Sequence, residues 1–407
     1  MHTMKFDRAL LPLLAPAIYL LVLPLAHVTA LRSFAFVISI VVLLWSLRTA
    51  DPRAIPLKAP FAVWLGAALL SMIWAVHPDF SIGAIKTEIV FGILAFLIFF
   101  TATRGPRELK FWVAALFASA VVATAIAAVH FLRGLDPYPV GAIYAGALSN
   151  AGYVATVLPF LAAAAMLASG RRRVAMLGVI LLLLLMAYGT TNRGVWLYLL
   201  VELAVFGGLY LIRVDLSPKT RTRVIAMMVA TAILGTSVLL FAAKGRLGLQ
   251  GGPSDIIAGT AKADRRPQLW KDSIDLIRER PVTGAGFGMM VLGREMQAQQ
   301  NDMNHTHAHN IVLNYALQLG VFGPLILAFL FYSVGREFWK LTRLQDKELL
   351  LMGIAGLTMI SGVLAAGMIE DLFNHHLAWL FWSLTGMTLG YAMNRKARIA
   401  VPVQPAG

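Results

Sequence analysis

Apolar blocks of about 20 residues, separated by charged residues or by Pro and Gly, recur from one end of this chain to the other, and that is the length a helix needs to cross roughly 30 Å of hydrocarbon. A backbone in lipid must satisfy its own polar groups, which blocks of this length do as helices. The fold class expected is an all-α integral membrane protein. Of 407 residues, 59 % are hydrophobic and 14 % charged, which excludes a soluble globular core, a disordered chain and a collagen-like repeat. Cysteine is absent, so no disulfide can brace the loops.

Twelve transmembrane helices are expected, near 9–25, 33–47, 59–76, 86–102, 111–132, 147–169, 174–190, 194–212, 224–243, 310–334, 349–369 and 377–393. Three parts follow: residues 1–243 with spans one to nine and short loops, a long loop 244–309, and residues 310–407 with the last three spans and a C-terminal tail. Lys5 and Arg8 precede the first block and Val28-Thr29-Ala30 could serve as a signal cleavage site. That block is long enough to span and the second follows at once, so it is read as a retained helix.

With an even number of spans both termini share one side. The short segments on that side hold 22 Lys and Arg, from Lys5 to Arg398, whereas the opposite short loops hold only Arg32, Lys86, Arg133 and Arg193. The positive-inside rule makes the 22-residue side cytoplasmic and the loop 244–309 outward. The net charge of +15 is thus mostly a topology signal, and nucleic acid is not an expected partner. Glu202 is the main charged residue within a span; a local hydrogen bond is the bland expectation for it and a functional role the sharper one. Interrupted spans do not recur at matching places in the two halves, as inverted transporter repeats would require.

Eight of the nine His fall on outer loops or outer helix ends, so acid–base chemistry is expected outside. In the long loop, Pro267 can open a helix, with Trp270, Ile274 and Ile277 at i, i+4, i+7 and charged residues opposite. This reads as a short amphipathic helix lying on the bundle or at the membrane interface. Pro281 ends it, and Gly284, Gly286 and Gly288 make a turn that lets the loop pack closely. His305, His307 and His309, with Asp302 nearby, could form a metal site, although a polar loop is a poor scaffold for one. His309 alone has a second role. At a helix start the macrodipole favours the neutral imidazole, which can accept a proton; capping of backbone groups is the alternative. Arg193, in a polar hairpin between two spans, and Arg265 and Arg266, before the loop helix, are candidates for phosphate oxygens, with snorkelling toward headgroups the alternative for Arg193.

Three sequence blocks together resemble the O-antigen ligase and O-antigen polymerase superfamily. His309-Asn310 is followed by nine residues and then Gly320-Val-Phe-Gly323, as in the ligase pattern. Arg266-Pro-Gln-Leu-Trp270, running into Pro281 and Gly284-Ala-Gly-Phe-Gly288, is similar to the Arg, Trp, Pro, Gly-x-Gly block, and Thr191-Asn192-Arg193-Gly194 to the first outer Arg-Gly turn.

The resemblance implies transfer of an assembled glycan from undecaprenyl pyrophosphate to lipid A–core, on the periplasmic face of the bacterial inner membrane, with no metal and no cofactor. His309 is then the general base, with Arg193, Arg265 and Arg266 on the donor pyrophosphate and Asn310, Gly320, Gly323 and Trp270 as supporting motif residues. A polymerase would use a second lipid-linked glycan as acceptor, and a protein O-oligosaccharyltransferase would use Ser or Thr. A transporter or lipid flippase is the reading from a different class.

Overall fold

A computed structural model describes residues 8–25, 27–49, 54–133, 147–189, 193–247, 266–288, 293, 307–370, 373 and 375–400. Among them the chain is all-helical, with no β-strand. The helices are α1 (Leu14–Val22), α2 (Thr29–Thr49), α3 (Lys58–Ser71), α4 (Pro78–Ala84), α5 (Phe91–Ala102), α6 (Pro106–Leu132), α7 (Ala147–Leu167), α8 (Gly170–Gly189), α9 (Arg193–Arg213) and α10 (Pro218–Leu247). After the long loop come α11 (Arg266–Glu279), α12 (Ile311–Leu319), α13 (Phe322–Leu341), α14 (Lys347–Gly367) and α15 (His375–Ala400).

Six helical stretches among the described residues are long and apolar enough to cross a membrane: Thr29–Arg48, Pro78–Ala102, Pro106–His130, Gly170–Gly189, Gly194–Arg213 and Lys347–Gly367. Shorter apolar helices cover Leu11–Val22, Lys58–Ser71 and Gly152–Leu167. Every expected span therefore coincides with helix, while the count of twelve crossings stays an expectation. One expected span, 310–334, is two helices, α12 and α13, divided at Gly320. The stretch 59–76 is helical only to Ser71, because Val76 then donates its N–H to Ala285 of the long loop instead of continuing the helix.

The bundle has a lipid-type outside and an aromatic inside. Exposed Phe34, Val37, Val41 and Leu44 line one side of α2, and Val174, Leu177, Leu181 and Leu185 one side of α8. The centre is α14, buried along most of its length, together with α5 and α15, which pack closely on each other. Gly386 and Gly390 of α15 let its backbone approach the Phe96 and Phe100 carbonyls, the small-residue contact that membrane helices favour. Phe61, Trp382, Phe373 and Phe381 fill the remaining volume edge to face.

Two polar details explain sequence oddities. Arg32, one of the four basic residues expected on the outer side, is buried and donates to the carbonyls of Leu23 and Leu25 and to Thr29 Oγ1, closing the end of α1. Between α4 and α5 a π-turn, Ile85–Val90, leaves the Thr87 carbonyl free to accept the Trp379 indole N–H at 2.6 Å. Glu202 does not meet the expected local hydrogen bond. Both of its oxygens are buried without a partner among the described residues, and Gly362 of α14 lies so close that a Cβ there would overlap the carboxyl.

Candidate functional site

The site grows from the start of α12. Asn310 is its N-cap, Oδ1 accepting the N–H of Val312 at 3.0 Å and of Leu313 at 3.1 Å, while its Nδ2 donates to the Met368 carbonyl just past α14. One side chain thus pins the beginning of α12 to the end of α14. On the other side of His309, the Ala308 N–H donates to Asn314 Oδ1 at 2.8 Å and its carbonyl accepts the Trp270 indole N–H at 3.0 Å. Held between these anchors, His309 has φ +48°, a left-handed conformation uncommon for a residue with a side chain and typical of constrained functional positions.

This geometry brings the His309 ring to Glu370. Nδ1 donates to Glu370 Oε2 at 2.7 Å, and Arg266 Nη2 donates to Oε1 of the same carboxylate at 2.8 Å. The carboxylate side chain is 8 % exposed, whereas His309 and Arg266 are 30 % and 29 % exposed, so the acid is the buried hub and its two partners reach outward. Burial pushes the Glu370 carboxyl up, but the hydrogen bond from His309 and the charges of His309 and Arg266 outweigh it and hold the carboxyl below its usual range. An ionised carboxylate at Nδ1 fixes the proton there and leaves Nε2 as the acceptor nitrogen. His307 packs against His309 with ring centroids 4.0 Å apart and planes tilted by 41°. Burial first, and the charge of His309 second, push His307 down to about 4 against the pull of Glu370.

Arg266 reaches Glu370 because the loop helix is locked to α12. The turn after α11 runs beside the end of α12: Ala285 donates to the Leu317 carbonyl at 2.8 Å, Gly286 to that of Gln318 at 3.1 Å, and Gly288 to Gln318 Oε1 at 2.9 Å. In return Val321 donates to the Pro281 carbonyl at 2.8 Å. Gly320 has φ +61°, and a Cβ there would strike the Val282 carbonyl. The Gly-rich turn also docks on the end of α3, through the Trp74 indole to the Thr283 carbonyl and the Phe287 N–H to Ser71 Oγ. Both glycine motifs are thus packing devices, as expected for the 284–288 turn.

The buried face of α11 differs from the expected Trp270, Ile274 and Ile277. Leu269 and Ser273 are buried, with Leu276 and Ile277 partly so, against Ala308, Leu313 and Leu317, and Ile274 faces out. Trp270 is half-buried beside that face, its indole N–H donating to the carbonyl of the buried Ala308.

Among the residues singled out in the sequence, His309 and Arg266 come together, and Trp270, Asn310, Gly320 and Gly323 build their support. Arg265, His305, and the side chain of Arg193, whose backbone opens α9, lie outside the described residues. Asp302 and His305 of the metal set weighed in the sequence lie outside the described residues; among the described residues His307, His309 and Glu370 each offer one atom within 4.8 Å of the others. Glu370 was missed by sequence reasoning. The available signal was a carboxylate closing an apolar span on the side that carries the histidines.

Residues 178–328 match the family model described as O-Antigen ligase. This stretch is thereby similar to that family, and the match supports a place in the O-antigen ligase and polymerase superfamily. It spans Arg193, Arg266, His309, Gly320 and Gly323 and ends before Glu370. No curated protein matches the chain.

Proposed function

We propose that this chain is an O-antigen ligase, an inverting and metal-independent transferase that moves an assembled glycan from undecaprenyl pyrophosphate to a sugar hydroxyl of lipid A–core. The observation that carries the reading is that one buried carboxylate, Glu370, holds both His309 and Arg266. A base for an acceptor hydroxyl and a cation for a departing phosphate are thereby fixed in one frame.

In the proposed reaction the acceptor hydroxyl attacks the anomeric carbon of the donor sugar. Its proton passes to His309 Nε2 as the new C–O bond forms, and the imidazolium is stabilised by Glu370 at Nδ1. The bond from that carbon to phosphate breaks, and its electron pair leaves on the lipid pyrophosphate. Arg266, with Arg193 as second cation, stabilises the charge that develops there. Acceptor and leaving group lie on opposite faces of the sugar, so the configuration inverts. Both substrates are lipids and reach the site sideways between helices, under a loop that restricts competing water. The site faces the periplasm, with both termini cytoplasmic.

Purified protein given a polyprenyl-pyrophosphate glycan and lipid A–core should release the lipid pyrophosphate and yield core-linked glycan. Extension of a second carrier-linked glycan instead would identify a polymerase, and glycan on Ser or Thr a protein oligosaccharyltransferase. Failure to consume donor with all three acceptors would overturn the enzyme reading in favour of a transporter or flippase.

A further inference from the structure

The end of the bundle far from His309 carries a second polar hollow, of about 510 Å³, between the end of α9 and the connection from α13 to α14. Its polar lining is Arg213, Asp215, Thr342, Arg343, Gln345 and Lys347. Arg213 and Lys347 are the last and first residues of two stretches able to cross a membrane, which sets the hollow at headgroup level.

The cations here are prepared rather than paired. Arg213 lies over the Trp339 ring at 4.4 Å and Arg343 at 5.5 Å, so one indole, itself about a third exposed, orients two guanidiniums. Among the described residues Arg213 Nε is buried without an acceptor, and none of the three cations is within ion-pair distance of a carboxylate. By contrast, Arg395 at the same end is fully engaged with Asp346, Glu348 and Tyr391. Ile212 of the lining is strongly exposed apolar surface, and so is Tyr332 on α13, the helix that carries Trp339.

We propose that this hollow binds the headgroup of an anionic phospholipid bearing hydroxyls, of the phosphatidylglycerol type. The lipid phosphate sits between Arg213, Arg343 and Lys347, a headgroup hydroxyl donates to Asp215, and an acyl chain runs along Ile212 and Tyr332. Basic pockets between membrane helices at the interface take anionic headgroups, each cation contributing roughly fivefold in affinity. The lipid would tie α9 to the α13–α14 connection. This inference does not depend on the transfer reaction.

The test is native mass spectrometry of the full-length protein extracted from nanodiscs of mixed phosphatidylglycerol and phosphatidylcholine, with added inorganic phosphate in a parallel arm. Wild type should retain phosphatidylglycerol over phosphatidylcholine by on the order of 10-fold. The double variant Arg343→Gln, Lys347→Gln, at two exposed positions, should fall to about twofold or less while remaining folded by circular dichroism, and Arg213→Lys should lose part of the preference. Equal retention of both lipids by wild type, or an undiminished preference in the double variant, overturns the proposal. Loss of the bound lipid to millimolar inorganic phosphate reassigns the hollow to a soluble phosphate and overturns the lipid assignment.

Discussion

Glu370 accepts one hydrogen bond on each oxygen, from His309 and from Arg266, and replacing it by an amide tests what the charge does. In Glu370→Gln the amide N–H₂ can face Nδ1, which then becomes the acceptor and places the proton on Nε2, where it blocks base catalysis. Transfer is expected to fall by about 10²-fold or more, with donor binding retained; a wild-type rate would remove Glu370 from the mechanism. His309→Ala should lose transfer to at least the same degree, read as release of the lipid pyrophosphate. His307, His309 and Glu370 could instead hold a metal. In that case EDTA stops purified enzyme and a divalent ion restores it, whereas a base without metal is indifferent to the chelator. His307 has its own signature. Its folded value, about 4, lies below the ordinary imidazole value of roughly 6.5, so the folded state binds fewer protons than the unfolded one. Its contribution is intact above about pH 6.5 and is lost as pH falls toward 4. Substituting His307→Gln should therefore flatten the decline of Tm between about pH 6.5 and pH 5, and an unaltered slope would mean that the ring protonates freely in the fold.

Elements, rather than side chains, decide whether Arg266 reaches Glu370. Gly320 joins α12 to α13 with positive φ and no room for a Cβ beside Val282. Gly320→Ala should cost on the order of 1–3 kcal/mol, read as a lower Tm, and should loosen the α11 turn enough to depress transfer even where protein remains folded. Retained transfer and Tm would show that the interlock is dispensable. The glycines and His309 are legible in the sequence because they stand in one short spacing. Their reason is not, since Gly320 faces Val282 and Gly286 faces Ala75, contacts between elements distant in the chain. Glu370 was missed for the same reason: it lies 61 residues beyond His309, and contacts between elements, the Asn310 link from α12 to the Met368 carbonyl and the packing of Gly367 on Ile311, bring them together. Hydropathy likewise reads 310–334 as one block because Gly320 interrupts the helix without interrupting the apolar run.

At the scale of the whole molecule, the division of charge is the basis of the proposed orientation in the membrane. The 22 basic residues of one side and the four of the other are unequal in a further sense. Arg32, counted among the four, is buried and occupied with the carbonyls of Leu23 and Leu25, so it closes a helix end and leaves even fewer exposed cations outside. On the 22-residue side, Arg343 and Lys347 are exposed, and Arg213 lies on the Trp339 ring, as expected of groups facing anionic headgroups. The site that joins His309, Arg266 and Glu370 lies at the other end of α14. Reporter fusions should thus register cytoplasm after Leu216, between α9 and α10, and periplasm near Gln299, in the long loop. Both readings are needed, because long loops can translocate regardless of their own charge. A cytoplasmic signal near Gln299 would put His309 on the wrong side for a periplasmic acceptor and overturn the ligase proposal along with the topology.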